Sequence, residues 1–117
     1  MISAVILTLN EEEDLPNCLR SLDWTDENFV LDSGSTDDTC DIAKRMGASV
    51  FKNKFLGFGQ QRNWAIDNIP LNSDWILFID ADEVSTPEFA RAVLEGIQNS
   101  NKNTAGFYCC WKLMLYG

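Results

Sequence analysis

Residues 75–82 read Trp75-Ile76-Leu77-Phe78-Ile79-Asp80-Ala81-Asp82, an apolar run followed at once by two carboxylates spaced by one residue. A run this short and this apolar fits a strand buried on both faces, the strand type of a parallel sheet. Outward from it, the chain alternates similar runs with helix-like stretches. Residues 4–9 are apolar and β-branched, which predicts a strand. Residues 11–22 place Leu15, Cys18, Leu19 and Leu22 at helical intervals behind an acidic start. Residues 29–31 predict a second strand ending at Asp32, and residues 33–36 a turn. Residues 37–46 predict a helix with Cys40, Ile42, Ala43 and Met46 on its apolar face and Gly47 placed to end it. A third strand is predicted over 48–51 and a helix over 60–68, stopped by Pro70. Beyond the acidic pair, Thr86 is placed to cap a helix with Pro87 at its first position, running to near Gln98. A polar loop over 99–104 and a strand over 105–115 complete the chain. This order predicts an α/β fold of three layers, a mostly parallel sheet with helices on both faces.

A chain of 117 residues holds one domain with its own core and has no room for two, so the domain is expected to span 1–117. The net charge of −9 argues against a nucleic-acid surface. It does not argue against phosphate ligands, because a bound divalent cation reverses the local sign. The four cysteines, Cys18, Cys40, Cys109 and Cys110, form no CxxC pair, and histidine is absent, which speaks against zinc. Nothing marks the chain as secreted, so disulfides are not expected. The first residues run straight into a strand with no basic region or cleavage site, and the apolar runs fall far below the roughly 20 residues of a membrane span. The expectation is a cytoplasmic chain, with peripheral membrane association left open. The apolar end, Leu113-Met114-Leu115-Tyr116 before Gly117, leads us to expect a piece of a longer protein. The edge left there would be open to homodimer formation.

Open α/β sheets bind ligands outside the carboxyl ends of their strands. The polar residues at those ends are Thr8, Asn10 and Glu11, then Asp32, Ser33, Ser35 and Asp37, then Asp80, Asp82 and Glu83. Carboxylates gathered from three loops repel one another unless a cation joins them. Mg²⁺ or Mn²⁺, which take carboxylate and phosphate oxygens, is the simple remedy. Each segment also has a plainer reading. Residues 80–83 would be a solvated turn capping the next helix. Residues 32–39 would be a glycine turn with Ser35 or Thr36 as the cap. Arg62, in Gly57-Phe58-Gly59-Gln60-Gln61-Arg62-Asn63-Trp64, would either offset a diphosphate or make a surface ion pair. Trp24, Trp64, Trp75 and Trp111 read as core or half-core residues, and the cysteines as small buried apolar ones.

Together these segments resemble the family 2 glycosyltransferases, which have the Rossmann-like GT-A fold. Ile6-Leu7-Thr8-Leu9-Asn10-Glu11-Glu12 resembles the family's opening strand and "NEE" loop. Val30 to Thr39 is similar to its "VDSGSTDGT" stretch, with Asp38 where glycine is usual. Arg62-Asn63 matches a recurring "RN" pair, and Phe78 to Glu83 the "lDaDE" form of the DxD motif. The order and spacing hold over nearly the whole chain, and the wording is most similar to the bacterial branch that extends the lipopolysaccharide core. The resemblance implies an inverting hexosyl transfer from a nucleotide-diphosphate sugar, a UDP-sugar above all, to a glycan or lipid-linked acceptor. It implies a divalent metal on Asp82, with Asp80 by the ribose or metal. Asp32 would lie by the base, with Thr8, Asn10, Glu11 and Ser33 around the nucleotide, and Arg62 near the diphosphate. The metal would act as a Lewis acid on the leaving diphosphate, and a carboxylate base would deprotonate the acceptor hydroxyl. That base and most of the acceptor-binding part belong to the family's second half, before which this chain is expected to be cut, so no residue up to Gly117 is assigned as the base.

Three rival readings remain. In a haloacid-dehalogenase-like phosphatase, Asp80 would be a phosphorylated nucleophile and Asp82 a general acid. A nucleotide-sugar-binding domain without catalysis would keep only the donor site. A receiver-like signalling domain would use the acidic edge, but lacks a late lysine in the right place.

Overall fold

The computed structural model describes residues 1–55, 57–99, 106–108 and 114–116. Its elements are β1 (Ile2–Thr8), α1 (Leu15–Ser21), β2 (Glu27–Asp32), α2 (Thr39–Arg45), β3 (Ser49–Lys52), α3 (Phe58–Asn68), β4 (Trp75–Asp80), α4 (Pro87–Asn99), β5 (Gly106–Tyr108) and β6 (Met114–Tyr116). They form one sheet in the order β3-β2-β1-β4-β6-β5. The first four strands in this order are parallel, and β6 pairs antiparallel with both β4 and β5.

The parallel strands carry apolar residues on both faces because both faces are covered. Ala4, Ile6, Val30, Leu77 and Ile79 meet Leu15, Cys18 and Leu19 of α1, Ala43 of α2 and Val93 of α4 on one side. Val5, Phe29, Leu31 and Phe78 meet Ala65 of α3 and Ile69 on the other. The handedness of crossovers accounts for this split. The path steps outward from β1 to β2 to β3, so α1 and α2 share a face. It then returns to β4 on the far side of β1, and α3 must cross the opposite face.

Four expectations shift at their edges, each for a local reason. The first helix starts at Leu15 rather than at residue 11, because Asn10 has φ 54° and the N–H groups of Glu11 and Glu12 donate to Thr39 and Asp37 instead. The second starts at Thr39, and its N-terminal N–H is taken by the Asp37 carboxylate, not by Ser35 or Thr36. The third begins at Phe58 rather than residue 60. The strand expected over 105–115 is instead two short strands that pair antiparallel, so the chain reverses between them. Residues 109–113, with Cys109, Cys110 and Trp111, lie outside the described residues. Trp24, Trp64 and Trp75 are half-buried, as expected. Cys18 and Cys40 are free thiols. Among the described residues no helix is long and apolar enough to cross a membrane.

Thr86 does cap α4: the Phe89 N–H donates to its Oγ1 at 3.0 Å. Thr86→Ala is expected to lower stability by about 1 kcal/mol, read as a drop of roughly 4 °C in melting temperature. An unchanged midpoint would show that the cap contributes nothing.

Candidate functional site

Register decides which strand ends meet. Thr8 pairs with Asp32 across β1 and β2, and Leu7 pairs with Asp80 across β1 and β4. The carboxyl ends of the three strands are therefore flush. The crossover direction reverses beside β1, where open α/β sheets leave a crevice. A cavity of about 270 Å³ lies there, lined by Leu7, Thr8, Leu9, Glu11, Ser33, Phe55, Asp80 and Asp82.

At the end of β4 the strand geometry stops and a turn begins. The Ala81 N–H donates to the Leu7 carbonyl at 3.3 Å, and Ala81 is buried. The Glu83 N–H donates to the Asp80 carbonyl, while the Asp80 N–H donates back to the Glu83 carboxylate at 3.1 Å. The buried alanine anchors the turn, so Asp82 stands exposed at the rim. Oxygens of Asp80, Asp82 and Glu83 lie within 4.8 Å of one another.

The other side of the cavity is built by two interlocked loops. Asp32 is 1% exposed. One carboxylate oxygen accepts from the hydroxyls of Thr8, at 2.7 Å, and Ser35; the other accepts from the N–H groups of Gly34, at 3.0 Å, and Ser35, at 2.7 Å. Gly34 has φ 114°, which lets the chain curl back over that oxygen. Around this knot the two loops exchange bonds. The Asn10 N–H donates to the Ser35 hydroxyl and the Thr36 N–H to the Asn10 side-chain carbonyl, both at 2.8 Å. The Glu11 N–H donates to the Thr39 hydroxyl at 2.9 Å. The Asp38 N–H donates to the Glu12 carboxylate at 3.2 Å.

The site is strongly negative, and titration directions register it. Burial, then Asp82, Asp14, Asp80 and Asp37, push the Glu11 carboxyl up. The Cys18 thiol, 3.8 Å from the Asp80 carbonyl, is pushed up to about 12 by burial and then by Glu83, Asp82 and Asp80. Asp32 goes the other way. Burial raises it, but the bonds from Ser35, Thr8 and the two backbone N–H groups outweigh burial and hold it low. The three clustered carboxylates offer only oxygen ligands and excess negative charge, a donor set that fits a hard divalent cation.

Of the residues expected at the site, Thr8, Glu11, Ser33, Asp80 and Asp82 line the cavity. Asn10 and Asp32 instead brace the loops behind it. Arg62 does not line it. It is half-buried, and among the described residues its Nε has no hydrogen-bond partner. One position along a helix is a turn of about 100°, and it is Gln61 whose side chain reaches the β2 end, donating to the Ser33 hydroxyl at 3.2 Å. No local signal in the sequence marks Gln61 or Phe55, and the charge beside Gln61 lies on Arg62.

The family model described as glycosyl transferase family 2 matches residues 3–110. An uncharacterised glycosyltransferase of Rickettsia typhi is 43% identical over 88 residues, covering 74% of this chain and 30% of that protein. The lipopolysaccharide core biosynthesis glycosyltransferase LpsC of Rhizobium meliloti is 33% identical over 87 residues, covering 70% and 32%. Glucosyl-3-phosphoglycerate synthase from Mycobacterium tuberculosis, solved with Mn²⁺, UDP and glucosyl-3-phosphoglycerate, superposes with a TM-score of 0.68 at 32% identity, covering 86% of this chain and 40% of that one. The chain thus spans about a third of the length of these curated relatives. The phosphatase and receiver readings find no support among these matches.

Proposed function

This chain belongs to glycosyl transferase family 2, with the GT-A fold, and from that membership we propose that it binds a nucleotide-diphosphate sugar, a UDP-sugar above all, as the donor part of an inverting glycosyltransferase. The observation that carries the proposal is the single cavity shared by Thr8, Ser33, Asp80 and Asp82, with the carboxylate cluster at one end. Asp82 and Asp80, with Glu83 beside them, would hold Mg²⁺ or Mn²⁺. When bound, that ion would supply Lewis-acid assistance to the departing diphosphate. Thr8, Glu11 and Ser33 would line the nucleotide, and Asp32 and Asn10 would keep their loops in place. Arg62 is not among the residues that line the cavity and is left out of the proposed contacts.

In the transfer itself, an acceptor hydroxyl would attack the anomeric carbon opposite the leaving group. A bond to the acceptor oxygen forms, the bond to the diphosphate oxygen breaks, and a base takes the hydroxyl proton. The acceptor we favour is a glycan or lipid-linked core sugar, in line with the likeness to LpsC. The test is a melting scan with UDP, GDP and related nucleotides, with and without Mn²⁺. A ligand that binds only the folded chain raises the midpoint. UDP is expected to do so only with the metal. A chain that no nucleotide stabilises would rule the proposal out.

A further inference from the structure

Residues 80–83 form a turn that Glu83 closes twice. Its N–H donates to the Asp80 carbonyl at 3.0 Å, and its carboxylate accepts from the Asp80 N–H at 3.1 Å. Ala81 and Asp82 are the two central residues of that turn, so where Asp82 emerges depends on how its ends are tied. The strand fixes the edge on which those ties lie. In a parallel ladder, neighbouring residues turn their backbone groups to opposite edges. The Ala81 N–H goes to the Leu7 carbonyl of β1, so the N–H and carbonyl of Asp80 face the other edge, on the side of β6. Among the described residues, the pairing of β4 with β6 covers Ile76, Leu77 and Phe78 and stops short of Asp80. Glu83 takes both backbone groups of Asp80, in the place of a strand partner.

That placement separates the roles of the three carboxylates. Their oxygens are close enough to share one cation, but only Asp80 and Asp82 are among the residues that line the cavity. Asp82 is exposed at the rim, whereas Glu83 is half-buried. A carboxylate that turned from the Asp80 N–H to a cation would release the turn that carries Asp82. Groups that orient metal ligands from outside count nearly as much as the ligands, and their loss lowers metal affinity about 10–100-fold.

We propose that Glu83 is a positioning residue and not a metal ligand: its carboxylate holds the Asp80 N–H on the side of β4 away from β1, and so sets the turn that presents Asp80 and Asp82 to the ion. The inference rests on the donor-site reading above. Glu83→Gln and Glu83→Ala test it together. Both remove the charge, and only glutamine keeps an oxygen that accepts from the Asp80 N–H. Mn²⁺ is titrated into each chain at constant UDP, and the melting midpoint gives the half-saturating Mn²⁺ concentration. Glu83→Ala is expected to raise that concentration about tenfold, and Glu83→Gln no more than about threefold. Hydrogen exchange at the Asp80 amide, measured without metal, reads the brace itself: slow in the wild type and Glu83→Gln, faster in Glu83→Ala. Equal losses in the two variants would make Glu83 a ligand and overturn the inference. So would a Glu83→Ala chain that needs no more Mn²⁺ than the wild type, or an Asp80 amide that exchanges alike in all three. If Glu83→Ala does not fold, Glu83→Gln decides alone: a loss within threefold supports the inference, and a larger one overturns it. A wild type whose midpoint Mn²⁺ and UDP do not move removes the donor-site reading and this inference with it.

Discussion

Asp82→Ala is expected to abolish the manganese-dependent stabilisation by UDP while leaving the ligand-free protein as stable as before. Asp82 is exposed at the cavity rim, its oxygens grouped with those of Asp80 and Glu83. Its carboxylate packs no core and adds to the charge that pushes Glu11 up. Removing it relieves repulsion, so the ligand-free midpoint stays within the roughly 0.5 kcal/mol of an ordinary surface change. The ligand effect is much larger. A nucleotide at about a hundred times its Kd adds about 2.7 kcal/mol, which for a domain of this size is a rise of roughly 10 °C. A differential scan of both proteins with UDP and Mn²⁺ reads the two effects together. An equal rise in the variant would show that the metal is held elsewhere.

Asp32→Asn should give the largest loss of stability at neutral pH with almost no change in shape. The side chain is buried and accepts from Thr8, Ser35 and two backbone N–H groups. An amide presents an NH₂ group to two of those donors. Bonds to a charged acceptor count for about 1.5–3 kcal/mol each, so the loss is about 3 kcal/mol. Its pH dependence follows from the direction of the shift. The folded carboxyl titrates below its ordinary range, so the unfolded chain binds the proton more readily and stability rises with pH. The Asp32 contribution is complete above the ordinary carboxylate pKa. It fades as pH falls through that value toward the lower folded one. Urea melts at pH 7 and pH 3 should therefore show a wide gap between wild type and variant that narrows in acid. A gap of constant width would mean that Asp32 is not a charged brace.

The parallel sheet is legible because each strand is a short apolar run and each helix carries its own period. The rim is legible for a related reason: Asp80 and Asp82 follow directly on the run that becomes β4, and a strand end fixes where its next residues emerge. What escapes the sequence is set by bonds between distant segments. Nothing local shows that Glu11 and Glu12 give their N–H groups to residues 39 and 37, so the helix is drawn several residues too early. Nothing local shows that Gln61, rather than Arg62, faces the β2 end, because one helical step decides it and the deciding partner is Asn53. The pattern likewise shows an apolar stretch over 105–115 but not its reversal, which depends on β6 pairing with β4.

The exchange of bonds between the loops after β1 and β2 also bears on how such a domain can be rebuilt. Ser35, Thr39 and Asp37 serve the backbone of residues 10–12, while Asn10 and Glu12 serve that of residues 36 and 38. Neither segment is a separable cassette. A chimera that borrows one from a cousin and keeps the other would strand amide hydrogens on both sides of the seam, so the pair must be transplanted as a unit.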